Sequence, residues 1–423
     1  MGGLALLLAA AAFVITSVVD PNRYRGKLEG IVADLVGRPL VIEGDLKITW
    51  FPWLGVRLGQ AHLNNLPDMA GPPLAEWESM TVAAKVLPLL QGQVVVDRIR
   101  LQSPRVHLRR DAQGHGNWEN LGSHHPPSSS AGPSTGPPPQ IAGVEIRDGM
   151  LDYIDDGTGL KLSLAGLELD MGEWRAGQPL SIDTRFVVHK DSLPPAGVAV
   201  RVEAPALAVQ LEPMEVRAPQ FLVRIAEAEI KGNLQYRQGA GGASAAAVGG
   251  GAAVGDTRGA PVTTARGAAV AEAHGSSAIE ARGALTVSVP SVRKLANELA
   301  LNQTLPHDPT ALGPLELSTQ WSYVDGAVTA KPVTLKLDEV SFNGWVERHS
   351  GPGAVWNFEL HGDRIDLGRY FNVDSTNKKP FEIPVDTLRA IKANGSVIFD
   401  QAQYADTHMS DVRLKLQTPE VQQ

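Results

Sequence analysis

The chain opens on an uncharged run, MGGLALLLAAAAFVITSVV, from Met1 to Val19. As a helix this run extends about 28 Å at roughly 1.5 Å per residue, close to the ~30 Å hydrocarbon core of a bilayer. Asp20 and Pro21 end it. The pattern predicts a transmembrane anchor over 1–19. A cleaved signal peptide is the alternative; Ala9 to Ala12 offer small residues for cleavage, but the leading positive region is missing. The nearest basic residues, Arg23, Arg25 and Lys27, follow the span. Read literally, the positive-inside rule puts that side in the cytoplasm. A body outside the cytoplasm therefore carries the expectation of further basic residues upstream of Met1.

A short helical pattern comes next, over 20–38. Tyr24, Leu28, Ile31 and Leu35 fall at i, i+4, i+7 and i+11, one apolar stripe, and Gly37 marks its end. Such a helix lies on a membrane surface or plugs the end of a sheet, or else packs on a strand layer.

From Leu40 the period changes to two. Ile99 and Leu101 alternate with Arg98 and Arg100; Val106 and Leu108 alternate with Arg105, His107 and Arg109. Ser103-Pro104 reads as a turn between them. Leu162 and Leu164 are followed by Leu167, Leu169 and Met171, and the phase shift at Ala165-Gly166 predicts a bulge. Further strand-like runs are 221–225, 285–289, 315–317, 333–337, 356–360, 397–399 and 412–416. Asp148-Gly149, Asp156-Gly157, Asp325-Gly326 and Asn343-Gly344 read as turns. Segment 141–171 echoes 94–118, each with a strand, a turn, a second strand and an acidic-Gly turn. Beyond 20–38, helical signal is confined to about Ser291–Leu301 and Asp386–Lys392. The fold class is mainly β with few helices: an anchor followed by an antiparallel sheet with one apolar face, either an open groove or a sandwich.

Composition divides the 423 residues rather than classifying them. Much of the excess of Gly (43) and Pro (30) lies in two segments. One is a Pro/Ser linker over 123–140; the other is an Ala/Gly-rich disordered loop over about 238–278. They leave an N-terminal β unit at 39–122 and a second β region at 141–423. The net charge of −8, without a basic stripe, argues against nucleic acid as a partner. There is no cysteine, so disulfides and thiolate metal sites are excluded.

Candidate chemistry is sparse. His124-His125 sits in the linker, and no H-x-x-x-H occurs. Asp155-Asp156-Gly157 lacks the remaining ligands of a calcium loop. Gly249-Gly250-Gly251 lacks the Lys-Ser/Thr of a phosphate loop, and there is no G-x-S-x-G. The expectation is a protein that is not an enzyme and needs no cofactor or metal. Arg98, Arg100, Arg105 and Arg109 form the densest basic group. They are the candidates for an anionic headgroup, phospholipid or lipopolysaccharide, against the alternative of a solvated strand face.

Three stretches carry a family resemblance. These are Asp20–Leu121, with PNRYRGKLEGIVADLVGRPLVIEGDLKITWFPWLGVRLGQAHLNN and PPLAEWESMTVAAKVLPLLQGQVVVDRIRLQSPRVHLRRDAQGHGNWENL; IDLGRYF at 365–371; and IPVDTLRAIKANGSVIFD at 383–400. They resemble the AsmA family of bacterial envelope proteins. The resemblance implies an inner-membrane anchor with a β-rich periplasmic body. It also implies a relationship to bridge-like proteins whose curved sheet carries phospholipid toward the outer membrane along an apolar groove. A link to outer-membrane protein assembly and to lipopolysaccharide levels comes with it, and no catalytic residue is transferred. Relatives usually continue through more strands past the position of Gln423, so a short member, a split gene or a fragment is expected. The alternating strands nominate Ile99, Leu101, Val106, Leu108, Leu162, Leu164, Leu335 and Leu337 as groove-facing, with ordinary core as the alternative. A non-enzymatic scaffold touching envelope assembly proteins is the second functional expectation.

Overall fold

The computed structural model describes residues 20–49, 54–66, 69, 71–84, 96–121, 142–175, 178–211, 213–238, 279–301, 305–306, 308–351, 353–370, 393–404 and 406–417. The predicted anchor at 1–19, the linker at 123–140, positions 239–278 of the Ala/Gly-rich loop and the predicted helix at 386–392 lie outside them. Among the described residues no helix is long and apolar enough to cross a membrane.

Asp20 is extended and its carboxylate accepts from Asn22 N at 3.0 Å, capping a single 3-10 turn, Pro21–Tyr24. Helix α1, Arg25–Val36, follows and stops at Gly37, whose φ of 75° suits the left-handed C-terminal cap. The helix lies antiparallel along the first strands. Asn22 Oδ1 accepts from Leu46 N at 3.0 Å, Arg25 donates to Gly44 O at 2.9 Å, and Glu29 accepts from Ile42 N at 2.9 Å. The predicted apolar stripe splits in two. Leu28 and Val32 pack on a buried cluster of Leu40, Ile42, Leu46, Leu58 and Ala61, whereas Tyr24, Ile31 and Leu35 remain exposed. These hydrogen bonds fix the helix with Leu28, not the centre of the stripe, against the strands.

The strands are β1 (Leu40–Ile42), β2 (Leu46–Thr49), β3 (Leu54–Leu58), β4 (Ala61–Leu63), β5 (Ala75–Trp77), β6 (Ser79–Ala84), β7 (Val96–Gln102), β8 (Arg105–Arg110), β9 (Val144–Asp155), β10 (Leu160–Met171) and β11 (Leu180–Lys190). They continue as β12 (Val198–Leu211), β13 (Met214–Ile225), β14 (Ala228–Gln238), β15 (Ile279–Val289), β16 (Leu315–Val324), β17 (Ala327–Leu337), β18 (Val340–Arg348), β19 (Trp356–Asp366), β20 (Ala393–Tyr404) and β21 (Thr407–Leu416). All 21 belong to one sheet that curves without closing. From β9 to β19 each strand pairs antiparallel with its successor.

The expectation of a wholly antiparallel sheet needs correction, because three contacts are parallel. β19 pairs with β20 in this way, from Trp356 beside Ala393 to Asp366 beside Gln403. β7 and β8 both run parallel to β9. Ser103-Pro104 therefore does not fold a hairpin. Ile99–Gln102 lie beside Val144–Arg147, and Arg105–Arg110 beside Met150–Asp155, with one offset of 45 residues throughout. The two echoing segments are thus neighbours in register. At the matched interruption Ser103 (φ 48°) and Asp148 (φ 54°) are both left-handed. On the next strand Gly166 (φ 59°) makes the expected bulge, where register slips between Leu164 and Leu167. A crease thus crosses these strands at one level. Each extra residue flips the alternation, so Ile99 and Leu101 keep the same face as Val106 and Leu108 although their parity differs.

Of the expected turns, Asp156-Gly157 joins β9 to β10, and Asp325 (φ 46°) with Gly326 (φ 87°) joins β16 to β17. Asp148-Gly149 lies inside β9 at the crease, and Asn343-Gly344 lies inside β18. Gly344 is a close approach rather than a turn: a Cβ there would run into the Glu359 carbonyl of the neighbouring strand.

Two further helices sit beyond strand ends. Helix α2, Val292–Glu298, starts on Ser291, whose hydroxyl accepts from Lys294 N at 3.2 Å. Helix α3, Leu367–Tyr370, lies within the IDLGRYF element. Its Tyr370 hydroxyl donates to buried Asp338 at 2.7 Å, and Asp338 also accepts from Leu312 N at 3.1 Å and Gly313 N at 2.7 Å. Arg369 pairs with Asp308 at 3.4 Å. The motif is therefore a clasp holding the 308–313 loop to the β17–β18 turn.

Candidate apolar face of the open sheet

Register partners trace one row across the sheet. Leu101 stands beside Ile146, then Leu169, Thr184, Val202, Val223 and Ile230 follow on successive strands. The row continues through Val287, Leu317, Leu335, Phe342, Gly362, Phe399 and Val412. One Thr and one Gly interrupt otherwise apolar side chains from β7 to β21. Thirteen steps at ~4.8 Å give a contour of about 60 Å. Apart from Gly362 and Phe399 its members are half-buried, not sealed as in a closed sandwich. The Phe342 and Phe399 rings meet edge-on at 5.7 Å across Gly362, where a Cβ would approach them to 3.1 Å and 2.9 Å.

The nominated residues fall on this face in several rows. Leu101 and Leu335 share the row above. Ile99 stands beside Val144 and, through it, Met171 and Ile182. Val106 and Leu164 share a row through Leu151, and Leu108 and Leu162 share another through Tyr153. Leu337 lies between Leu315 and Val340, at the end capped by the Asp338 clasp. All eight are half-buried. Sequence reading missed Phe342, Val202 and Ile230 as members, although each sits in an alternating run.

The opposite face is polar and internally compensated. Arg98 and Arg100 both pair with Glu145, the latter at 2.8 Å, and Arg147 reaches Asp170 at 2.7 Å. Arg201 bridges Asp183 at 2.8 Å and Glu203 at 3.1 Å. Arg224 joins Glu203 at 2.7 Å to Glu229 at 2.9 Å. Arg109 pairs with Asp156 at 2.8 Å, and that hydrogen bond and charge push the guanidinium pKa further up. Of the four arginines nominated for an anionic headgroup, three thus already hold a carboxylate. No carboxylate among the described residues pairs with Arg105. They are also not a hairpin pair's shared face, because β7 and β8 lie end to end along β9. A cavity of about 480 Å³ has a mixed lining, with Arg98, Glu145, Asp183 and Glu203 beside Met171, Ile182 and Phe221, and another of about 600 Å³ opens on the polar side between Asn233, Gln235, Arg282 and Lys331. The polar walls of the second suit no acyl chain, whereas a cavity of about 590 Å³ reaches the nominated Leu108 and Leu162 beside Tyr153 and Leu193; the row from Leu101 to Val412 is itself a surface along the sheet.

At the β8 edge fully buried Asn117 replaces a missing strand. Its Nδ2 donates to His107 O at 2.8 Å and its Oδ1 accepts from Arg109 N at 3.0 Å. Buried Arg38, just past α1, donates to Glu119 O at 3.0 Å, tying the helix end to the GNWENL stretch. Burial, then the Asp338 carboxylate, push the Tyr370 phenol above its ordinary pKa. Among the described residues no group of three His, Asp or Glu side chains comes together as a metal site.

What this arrangement can do is bind long apolar matter without directional contacts, on a scaffold whose other face stays wet. No curated protein and no solved structure matches the chain. The model of the AsmA family matches residues 1–383, most of the length over which this sheet is built, and the chain belongs to the AsmA family.

Proposed function

We propose that this chain is a cell-envelope biogenesis protein that holds or conveys phospholipid along the apolar face of its sheet, between the inner and outer membranes. Met1–Val19 anchors it in the inner membrane and the sheet stands in the periplasm. The observation that carries this reading is the continuous, partly exposed row from Leu101 to Val412. A contiguous apolar strip about 60 Å long that stays open to water marks an interaction surface. One acyl chain occupies half of a ~30 Å bilayer core, about 15 Å, so the row has room for about four chain lengths. Acyl chains need no hydrogen bonds, in keeping with a face that offers almost none. The protein performs no covalent step in this role and needs no cofactor.

The test is photocrosslinking in living cells from Leu101 and Leu335, on one row, with Lys336 on the polar face as control. Adducts to phospholipid from the first two and none from the third are expected. Adducts to protein alone would overturn the reading and favour a scaffold for outer-membrane protein assembly.

A further inference from the structure

Helix α1 carries a second apolar face that the sheet does not use. Leu28 and Val32 are spent on the buried cluster. On the adjoining flank Tyr24, Ile31 and Leu35 are 53%, 55% and 54% exposed, at i, i+7 and i+11, with Lys27 beside them. The 3-10 turn and the twelve-residue helix after it, anchored by one side to a core, have no folding reason to point an aromatic and two aliphatic side chains into water.

Two observations identify what covers them. The first is position: the strip begins directly after the uncharged run Met1–Val19, and Asp20 and Pro21 separate the two. Asp20 is not helical (φ −83°, ψ 104°), so α1 is not the straight continuation of a preceding helix; the chain can turn there. The second is charge. Arg23 and Lys27 are both exposed, and the Lys27 ammonium lies 5.9 Å from the Tyr24 ring centroid. Aromatic and basic side chains flanking aliphatic ones are the composition of a helix lying at a lipid headgroup boundary.

We infer that α1 lies in the plane of the membrane, with Tyr24, Ile31 and Leu35 inserted among anionic phospholipids and Leu28 and Val32 holding the sheet above. This rests on the reading of Met1–Val19 as a membrane anchor. It makes α1 the joint that fixes how the sheet leaves the bilayer, because the Asn22, Arg25 and Glu29 contacts carry the helix's orientation into β1 and β2.

The chain has no cysteine, so single-cysteine variants report one position each. Full-length protein is reconstituted in vesicles of phosphatidylethanolamine and phosphatidylglycerol. A polarity-sensitive fluorophore is placed at S17C, Y24C, I31C, L35C or, as a water-exposed control, K336C. Blue-shifted emission at 24, 31 and 35, with severalfold stronger quenching by spin-labelled phospholipid than by iodide, is expected. Lipid quenching at 17 and 24 but iodide quenching at 31 and 35 would overturn the inference in favour of an upright helix, leaving the anchor intact. Iodide quenching at 17 as well would remove the anchor itself. Efficient I31C–I31C disulfide formation with no lipid quenching would overturn it in favour of a second copy on this face.

Discussion

A single carboxylate set into the middle of the apolar row should interrupt lipid locally and leave the fold standing. Leu317 is the position of choice, with Val287 and Leu335 as its direct neighbours on β15 and β17. An acyl chain crossing Leu317 would have to desolvate the new charge, which costs about 2.5–3.5 kcal/mol for an aspartate in hydrocarbon. That is a fall in local occupancy of about 100-fold. The folding cost is smaller. Leu317 is only partly exposed, so the burial lost is most of the ~1.5–3 kcal/mol of a sealed leucine, about 1–2 kcal/mol. The assay is the yield of lipid adduct from a photoreactive residue at Leu335 in Leu317→Asp, against Ser318→Asp. Ser318 is exposed on the polar face beside Thr286 and Thr334, so its variant should retain the adduct. A second probe at Leu101, nine strands and about 40 Å along the row, should be unaffected in both, which separates a local block from unfolding. Undiminished adduct at Leu335 in Leu317→Asp, or equal loss in Ser318→Asp, would refute the argument that acyl chains fill this face.

Asp338→Ala removes the acceptor of three hydrogen bonds at the clasp and should cost about 2–4 kcal/mol in urea unfolding; Tyr370→Phe, which leaves Asp338 its two backbone donors, should cost about 1 kcal/mol. Gly362→Val places a Cβ within 3.1 Å of both Phe342 and Phe399 and should destabilise by about 1–3 kcal/mol, visible as a lower Tm. In Asp155 the backbone N–H of Thr158, then that of Gly157, hold the carboxyl below its ordinary range. A depressed folded-state pKa supports the fold above the ordinary aspartate value of ~3.9 and is lost as pH falls through the folded value, so stability should decline below about pH 4. Asp155→Asn should flatten that decline in an acid titration followed by circular dichroism, and an unchanged slope would count against it.

Much of this architecture is written in alternation. The period-two runs placed β16, β17 and β21 where they occur, and the phase slip at Ala165-Gly166 marked a real bulge. What the pattern could not supply was which strands meet. The Arg98–Arg109 stretch reads as a hairpin because Ser103-Pro104 has turn chemistry. Only the 45-residue echo between segments hinted that these strands run beside β9. Asn343-Gly344 misled for a related reason: glycine serves a turn through its dihedral freedom but serves a strand through its missing Cβ, and sequence does not distinguish the two uses. The basic cluster was legible as residues but not as charge, since Glu145, distant in sequence, pairs with both Arg98 and Arg100. The half-burial of the nominated leucines depends on the sheet staying open, which no local pattern encodes.

Because consecutive strands from β9 to β19 pair in order, this part of the molecule coheres in one dimension. Its mechanical behaviour is then that of a zipper rather than of a globule. Opening is expected to propagate strand by strand from an end. The same linearity makes reach additive, each further hairpin extending the strip by about 10 Å without repacking what precedes it. It also explains how a long Ala/Gly insertion sits between β14 and β15 at no cost to pairing, since Gln238 and Ile279 remain direct partners across it.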